Sequence, residues 1–422
     1  MKTLALVVFI AVYAMMLLLP KIRAYVALGA AALFIILGIV PATEAFGEVD
    51  WNVLMMLAGT MGTVDLFIRS RMPARLSDKL VGLIPNVKWL IIVLALFAGL
   101  VSAFVDNVAT VLMLAPIGLA ISERLNISPV APILAIAISS NLQGAATLVG
   151  DTTSILLAGH MSLDFMDFFV YNGTLGMFWV VQAGALATIP VMLVLFRKQE
   201  GRIESTELTP VTDHIPTVLL VGTVLSLIVA SFIPNKPEVT NGVICIIFFL
   251  IGLAAELRKK NGRETVIDAV KAIDYTTILL LAGLFLVISG INRMGIIDDI
   301  SQIIAKLGGG NRFLTYTIIV WASVLFSAFI DNIPYTATML PVVGGVAAAM
   351  GASPDVMCFG LLAGATLGGN LTPVGASANI AAGGILNKAG YTVSTKDFMR
   401  MGVPFTLAAV LTGYVLIWVL YA

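Results

Sequence analysis

The chain has 422 residues, carries equal numbers of acidic and basic residues, and is 59% hydrophobic and 11% charged. A soluble domain carries about 25% charged residues, so this composition excludes an ordinary soluble protein. It predicts an all-α polytopic membrane protein in a lipid bilayer, with no nucleic-acid partner. Both cysteines, Cys245 and Cys358, lie in apolar stretches, which argues against a disulfide framework or a zinc site.

The first apolar stretch, 2–20, has no small-residue cleavage site, and a second apolar stretch follows almost at once. We therefore interpret it as a retained helix and not as a signal peptide. The crossings predicted after it are 24–41, 51–68, 131–158, 170–196, 216–233, 240–256, 275–292, 356–385 and 403–421.

Two further apolar segments, 89–122 and 313–350, fit no single crossing. The first holds 34 residues, which is about 51 Å of helix at about 1.5 Å per residue. That is too long for a hydrocarbon core of about 30 Å. Folded at Asp106, each arm is about 24 Å long and falls short of the far side. We predict that each segment is a re-entrant hairpin, with Asp106 and Asp331 at the two tips.

The basic residues predict the orientation. If the N-terminus is outside and each hairpin returns to its own side, most of the 24 lysines and arginines lie on the inner side. This arrangement predicts a plasma-membrane protein with both termini outside. It opens the first hairpin to the cytoplasm and the second to the outside.

The second half of the chain repeats the first. "DWNVLMMLAG" at 50–59 matches "DYTTILLLAG" at 274–283, and "SAFVDN" and "SAFIDN" recur 225 residues apart. We predict two repeats, 1–200 and 216–422, joined by a cytoplasmic linker at 201–215. Each has five crossings plus one hairpin, and five is odd, so the repeats are expected to be inverted relative to each other, as in secondary transporters.

Polar residues interrupt both repeats at matching places. Glycines and threonines break the helices 131–158 and 356–385, which is typical of discontinuous helices that bind ions. A single Asn or Thr in a membrane helix usually hydrogen-bonds to a neighbouring helix and supports packing, and a lone Asp can be protonated with a structural role only. The repetition in register favours a binding site. Its predicted members are Asp106, Asn107, Thr147, Asp151, Thr152, Asp331, Asn332, Asn370, Thr372, Ser377 and Asn379, with a possible Na⁺ at Asp106, Asn107, Asp331 and Asn332. No lysine or arginine is expected at this site, and we interpret Asp65 as a solvated helix-end carboxylate.

The paired "SAF[VI]DN" segments, with "GAATLVGD" and "GGNLTPVGASANI", resemble the ArsB/NhaD permease family of the ion transporter superfamily, in particular the branch that contains the melanosomal P protein. The resemblance covers nearly the whole chain. It implies inverted repeats divided into scaffold and transport parts, a homodimer and an elevator movement. Related dicarboxylate symporters carry Ser-Asn-Thr at their hairpin tips, whereas here the tips begin with Asp106 and Asp331, which disfavours dicarboxylate transport.

These features favour a transporter, with no enzyme activity and no cofactor beyond a coupling Na⁺ or H⁺. Buried carboxylates suit a site where proton and cation compete, so we expect proton- or sodium-coupled movement of a small inorganic ion or metalloid, either Na⁺/H⁺ exchange or arsenite-type efflux. A sodium-coupled symporter of a carboxylate or another anion remains the alternative. A channel fits less well because two facing broken helices favour alternating access, and a purely structural scaffold does not explain the repeated buried acids. An intramembrane aspartyl protease fits less well because "LVGD" does not match the Gly-x-Gly-Asp of such proteases.

Overall fold

The computed structural model describes residues 1–84, 86–124, 127–197, 208–259 and 262–422. Part of the predicted linker, 201–207, lies outside these residues. The described chain is mostly helical, and its only sheet there is one antiparallel pair of two-residue strands. In chain order the helices and strands are α1 (Lys2–Leu18), α2 (Arg23–Ile36), α3 (Trp51–Arg69), α4 (Met72–Leu83), α5 (Val87–Ser102), α6 (Asn107–Arg124), α7 (Val130–Gln143), α8 (Thr152–Met161), β1 (Val170–Tyr171), β2 (Thr174–Leu175), α9 (Met177–Leu195), α10 (Ile215–Ser231), α11 (Thr240–Leu257), α12 (Gly262–Lys271), α13 (Tyr275–Arg293), α14 (Ile296–Leu307), α15 (Arg312–Ser327), α16 (Asn332–Ala349), α17 (Asp355–Gly368), α18 (Ser377–Lys388) and α19 (Thr395–Tyr421), with short 3₁₀ turns at Pro20–Ile22, Gly144–Ala146, Met166–Phe168 and Gly369–Leu371.

Five described helical segments are long and apolar enough to cross a membrane, and several shorter helices are strongly apolar. The segments that hydropathy did not assign to the membrane, between α3 and α5 and between α13 and α15, also contain helices. These are α4 and α14, which are amphipathic: on α14, Ile296 and Ile297 are buried while Asp298 and Asp299 are exposed.

The order of helices recurs along the chain. The lengths of α3 and α13 agree at 19 residues, those of α5 and α15 at 16, and those of α6 and α16 at 18. Acidic N-caps recur as well, because Asp50 accepts from the Val53 amide and Asp274 accepts from the Thr277 amide. The packing is also matched, since α2 lies against α13 while α11 lies against α3.

The two long apolar segments each form a pair of helices. A turn at 103–106 joins α5 to α6, and a turn at 328–331 joins α15 to α16. The two interrupted helices are also present: a 3₁₀ turn and an extended stretch separate α7 from α8, and the same arrangement separates α17 from α18. Turns and breaks of both halves meet in the interior.

The helices pack in two groups. One group contains α1, α2, α3, α10, α11 and α13, and the other contains the helix pairs, the interrupted helices, α9 and α19. Contacts of α3 with α8 and of α13 with α16 join the groups. The polar turns and breaks therefore lie beside the boundary between two bodies of packed helix.

Candidate functional site

A cavity of about 240 Å³ lies where the two groups meet. Its walls are the C-terminal part of α3, the N-terminal ends of α6, α8, α13 and α16, and Ser377 at the start of α18. Helix N-termini present unpaired amides and a positive dipole end, so this place favours carboxylates and other acceptors. The predicted site residues that line it are Asp106, Asn107, Asp151, Thr152, Asn332 and Ser377.

Asp106 forms the N-terminal cap of α6. One of its carboxylate oxygens, Oδ1, accepts from the amides of Val108 (3.0 Å) and Ala109 (3.1 Å). The next residue, Asn107, is only 4% exposed and donates its side-chain amide to Oδ1 of Asn141 on α7, at 3.0 Å. The first tip is thus held by its own helix and by the interrupted helix behind it.

Asp151 joins the two halves of the chain. Its Oδ1 accepts from the Thr152 amide at 2.7 Å, and its Oδ2 accepts from the Thr153 hydroxyl at 3.0 Å. Oδ2 also accepts from the Asn332 side-chain amide at the second tip, at 3.4 Å. The break of the first half and the tip of the second half therefore share one carboxylate.

Behind the cavity, amides bind to one another across the interface of the two halves. Asn141 donates to Oδ1 of Asn370 (3.1 Å) and to the Thr366 carbonyl (2.7 Å), and Asn370 donates to the Ile138 carbonyl (3.0 Å). Asn379 donates to the Gly369 carbonyl at 3.1 Å. Asn370 and Asn379 therefore hold the break together and do not line the cavity.

One threonine in each break binds to the neighbouring turn. The Thr147 hydroxyl donates to the Ala103 carbonyl, and 225 residues later the Thr372 hydroxyl donates to the Ala328 carbonyl at 2.5 Å. Both threonines are buried and outside the cavity lining. Their hydroxyls position the turns that carry the aspartates.

Asp331 has a different environment from Asp106. Its Oδ2 accepts from Nη1 of Arg23 at 2.6 Å and from the Ser377 hydroxyl at 3.3 Å, while its Oδ1 accepts from the Ile333 amide at 3.1 Å. The expectation that no basic residue lies at the predicted site is therefore wrong. Arg23 lies between the first two predicted crossings, 2–20 and 24–41, and only the folded chain brings it to a residue 308 positions away.

Two further acids line the cavity. Asp274 caps α13, and Asp65 lies near the C-terminal end of α3, where Nε of Arg69 donates to its Oδ2 at 2.6 Å. Asp65 is thus paired, as a helix-end carboxylate often is, but it also faces the cavity. Sequence reasoning used Asp274 only as part of the repeat, although its place before an apolar helix marks an N-cap.

The similarity to known proteins shows to which protein family the chain belongs. Residues 6–364, most of the chain, match the model of the CitMHS family, described as citrate transporters. The chain belongs to the CitMHS citrate transporter family. This member is therefore an integral membrane transporter and not an enzyme, which removes the protease interpretation.

Relatives of this family member include an uncharacterized transporter of Mycobacterium bovis, 31% identical over 100% of this chain and 99% of the relative. A second uncharacterized transporter, from Mycobacterium tuberculosis, is 32% identical with the same coverage. The human P protein is 25% identical over 92% of this chain and 55% of its own length, which agrees with the resemblance to the P protein branch.

Two solved structures have a similar fold. The Alcanivorax borkumensis YdaH transporter aligns with a TM-score of 0.63 at 14% identity, covering 89% of this chain and 87% of its own. Neisseria gonorrhoeae MtrF, from a class of antimetabolite efflux pumps, aligns with a TM-score of 0.60 at 15% identity, covering 92% and 84%. At these identities the likeness shows a shared transporter-like fold.

Proposed function

We propose that this CitMHS family member is a proton- or sodium-coupled secondary active transporter of a small inorganic ion or metalloid. Na⁺/H⁺ exchange and arsenite-type efflux, the activities implied by the ArsB/NhaD resemblance, are the two forms of this proposal. The coupling cation binds in the cavity at Asp106, Asn107 and Asp151, with Thr152 and Asn332 beside it.

One observation carries the proposal. Four carboxylates, those of Asp65, Asp106, Asp151 and Asp274, line one cavity of about 240 Å³, and no lysine or arginine is among its described lining residues. A unit charge about 4 Å away contributes about 4 kcal/mol at an effective dielectric constant of about 20. A cation entering this cavity is therefore attracted, and an uncompensated anion is repelled.

The same carboxylates suit exchange. A buried carboxylate either holds a proton or ligates a metal ion, so the two occupants exclude each other. Asp151 already accepts from Thr152, Thr153 and Asn332, which fixes its orientation. One pre-oriented site with two exclusive occupants is sufficient for cation/proton antiport.

Alternating access is the mechanism we assign to these elements. The recurring helices are taken as two inverted repeats, and the pairs α5–α6 and α15–α16 as re-entrant hairpins whose tips meet the breaks after α7 and α17. The cavity opens beside the C-terminal end of α3, which we take to face the cytoplasm because the distribution of basic residues predicts that orientation. Movement of the group with the hairpins against the other group, as an elevator within a homodimer, would carry the site across.

A carboxylate symporter is the second candidate, and the description of the family as citrate transporters favours it. Its anion would have to enter with cations that offset its charge, because the lining carboxylates repel it. The groups that attract a carboxylate are Arg23, which binds Asp331 beside the cavity, and the helix N-termini that line the cavity.

The test is a measurement of internal pH in proteoliposomes that contain the purified protein, pulsed separately with Na⁺, Li⁺, arsenite and citrate. A pH change with Na⁺ or Li⁺ supports exchange, and one with arsenite supports coupled efflux. A response to citrate alone, dependent on a cation, establishes the symporter. If none of the four solutes changes the internal pH, and the protein is shown to be folded, the proposal is contradicted.

A further inference from the structure

The two tips, equivalent in sequence, differ in their charge environment. At the first tip, Oδ1 of Asp106 accepts both helix amides, and no described residue donates to its Oδ2. At the second tip both carboxylate oxygens of Asp331 are engaged, Oδ1 by an amide and Oδ2 by Arg23 and Ser377. Asp106 lines the cavity, whereas Asp331 is absent from its lining.

We propose that the Arg23 guanidinium is a built-in cation that occupies the second carboxylate tip in place of a mobile ion. This inference rests on the proposed cation coupling and deepens it, because it assigns the mobile ion to the Asp106 tip alone. The repeated aspartate tips suggest two coupling cations, one at Asp106 and one at Asp331. With Arg23 at Asp331, the protein binds one cation fewer than that.

The geometry supports this role for Arg23. The Nη1–Oδ2 distance of 2.6 Å is that of a charge-assisted hydrogen bond, and the two side chains are only 18% and 17% exposed. An ion pair so shielded from water keeps most of its attraction. Arg23 neutralises the Asp331 carboxylate and binds Oδ2, the oxygen that at Asp106 has no described donor, so a metal ion at the second tip would have to displace the Arg23 guanidinium.

The position of Arg23 gives the pair a second consequence. Arg23 is the first residue of α2, which packs on α13, whereas Asp331 belongs to the helix pair α15–α16. On the neighbouring helix α1, the Tyr13 hydroxyl donates to the Pro334 carbonyl at 3.0 Å. Arg23 and Tyr13 thus tie the second tip to the helix group that does not contain it, and movement between the groups has to break both contacts.

The experiment counts bound sodium. Equilibrium binding of ²²Na⁺ to the purified full-length protein is measured for wild type, Arg23→Gln, the double variant Arg23→Gln/Asp331→Asn, and Lys21→Gln. Lys21 is a matched control because it is basic, two residues away and exposed. We expect Arg23→Gln to bind one sodium ion more than wild type, and both the double variant and Lys21→Gln to bind the wild-type number.

An unchanged number in Arg23→Gln, or an extra ion that persists in the double variant, overturns the inference. If Arg23→Gln is poorly folded, the melting temperature supplies the same answer. In that case the unpaired Asp331 carboxylate is what destabilises the variant. We then expect Na⁺, but not choline, to raise the melting temperature of Arg23→Gln. On the double variant, Na⁺ should have only the effect that it has on wild type. If Na⁺ raises the melting temperature of Arg23→Gln no more than it raises that of wild type, the inference is also overturned.

These outcomes are separate from those that test the proposed function. If Asp106→Asn still bound the sodium ion that wild type binds, the proposed site would be defeated, whatever Arg23→Gln binds. A wild-type protein that couples through Asp106 while Arg23→Gln gains nothing defeats the role of Arg23 alone.

Discussion

Asn332 donates its side-chain amide to the carboxylate of Asp151 across 181 residues of sequence, at 3.4 Å. A residue of the second turn thereby binds the carboxylate at the helix break of the first half. Neither half contains the whole arrangement, so a binding site at this place exists only when both halves are folded against each other.

Replacing Asn332 by Ala should therefore weaken the site without abolishing it. A hydrogen bond to a charged group contributes about 1.5–3 kcal/mol, so we expect cation affinity to fall roughly ten- to a hundredfold. Titration of the coupling cation in a flux assay measures the change. Asn387→Ala, an exposed position on α18, serves as the control, and an Asn332→Ala protein with wild-type affinity would show that the bond to Asp151 is incidental.

Replacing Asp106 or Asp151 by Asn should remove cation binding. Loss of one unit charge at about 4 Å costs about 4 kcal/mol at an effective dielectric constant of about 20, or roughly a thousandfold in affinity. The melting temperature should stay near that of wild type, because Asn preserves volume. Binding of ²²Na⁺ together with thermal unfolding tests both parts. Asp298→Asn, an exposed acid on α14, is the matched control and should bind normally.

Gly375 lies where the second break approaches the second turn. A Cβ there would lie 2.7 Å from the carbonyl oxygens of Gly369 and Ser327, so Gly375→Ala has to displace backbone. Overpacking of this kind costs about 1–3 kcal/mol, and we expect a lower melting temperature and reduced transport. Gly383→Ala is the control, since nothing lies within 4 Å of its added Cβ. Equal melting temperatures for the two variants would contradict the close approach.

The two ends of α3 should be reached from opposite sides of the membrane. Ile68 lines the carboxylate cavity, and Asn52 lines a separate cavity of about 560 Å³ at the other end of the helix. Both native cysteines are fully buried, so single cysteines at 52 and 68 can be labelled selectively by a membrane-impermeant thiol reagent. Position 68 should react from the cytoplasmic side and position 52 from outside. Reaction of both from one side would refute the predicted orientation.

Sequence reasoning located the tips and breaks because a carboxylate in an apolar run is costly and therefore conspicuous. The repeat then supplied a second instance of each feature, which is why Thr147 and Thr372 were both found. Helices α4 and α14 were missed, since charged residues among their apolar ones keep their mean hydropathy below that of a membrane crossing.

Other parts of the site could not be predicted, for a physical reason. Asp65 and Asp274 lie at helix ends, where acids are commonly solvated, and only the folded chain brings both of them to the wall of one cavity. Asn141 lies within an apolar helix, where an amide usually serves packing, and its partners come from the other half. Arg23 precedes Asp331 by 308 residues, and no local pattern reports that pairing.

The central claim is that the carboxylates of Asp106 and Asp151 carry the coupling cation. The most direct test compares internal pH in proteoliposomes of wild type, Asp106→Asn and Asp151→Asn, all driven by the solute that moves protons in wild type. The account predicts proton movement in wild type and none above empty liposomes in either variant. Proton movement at the wild-type rate in both variants would contradict it.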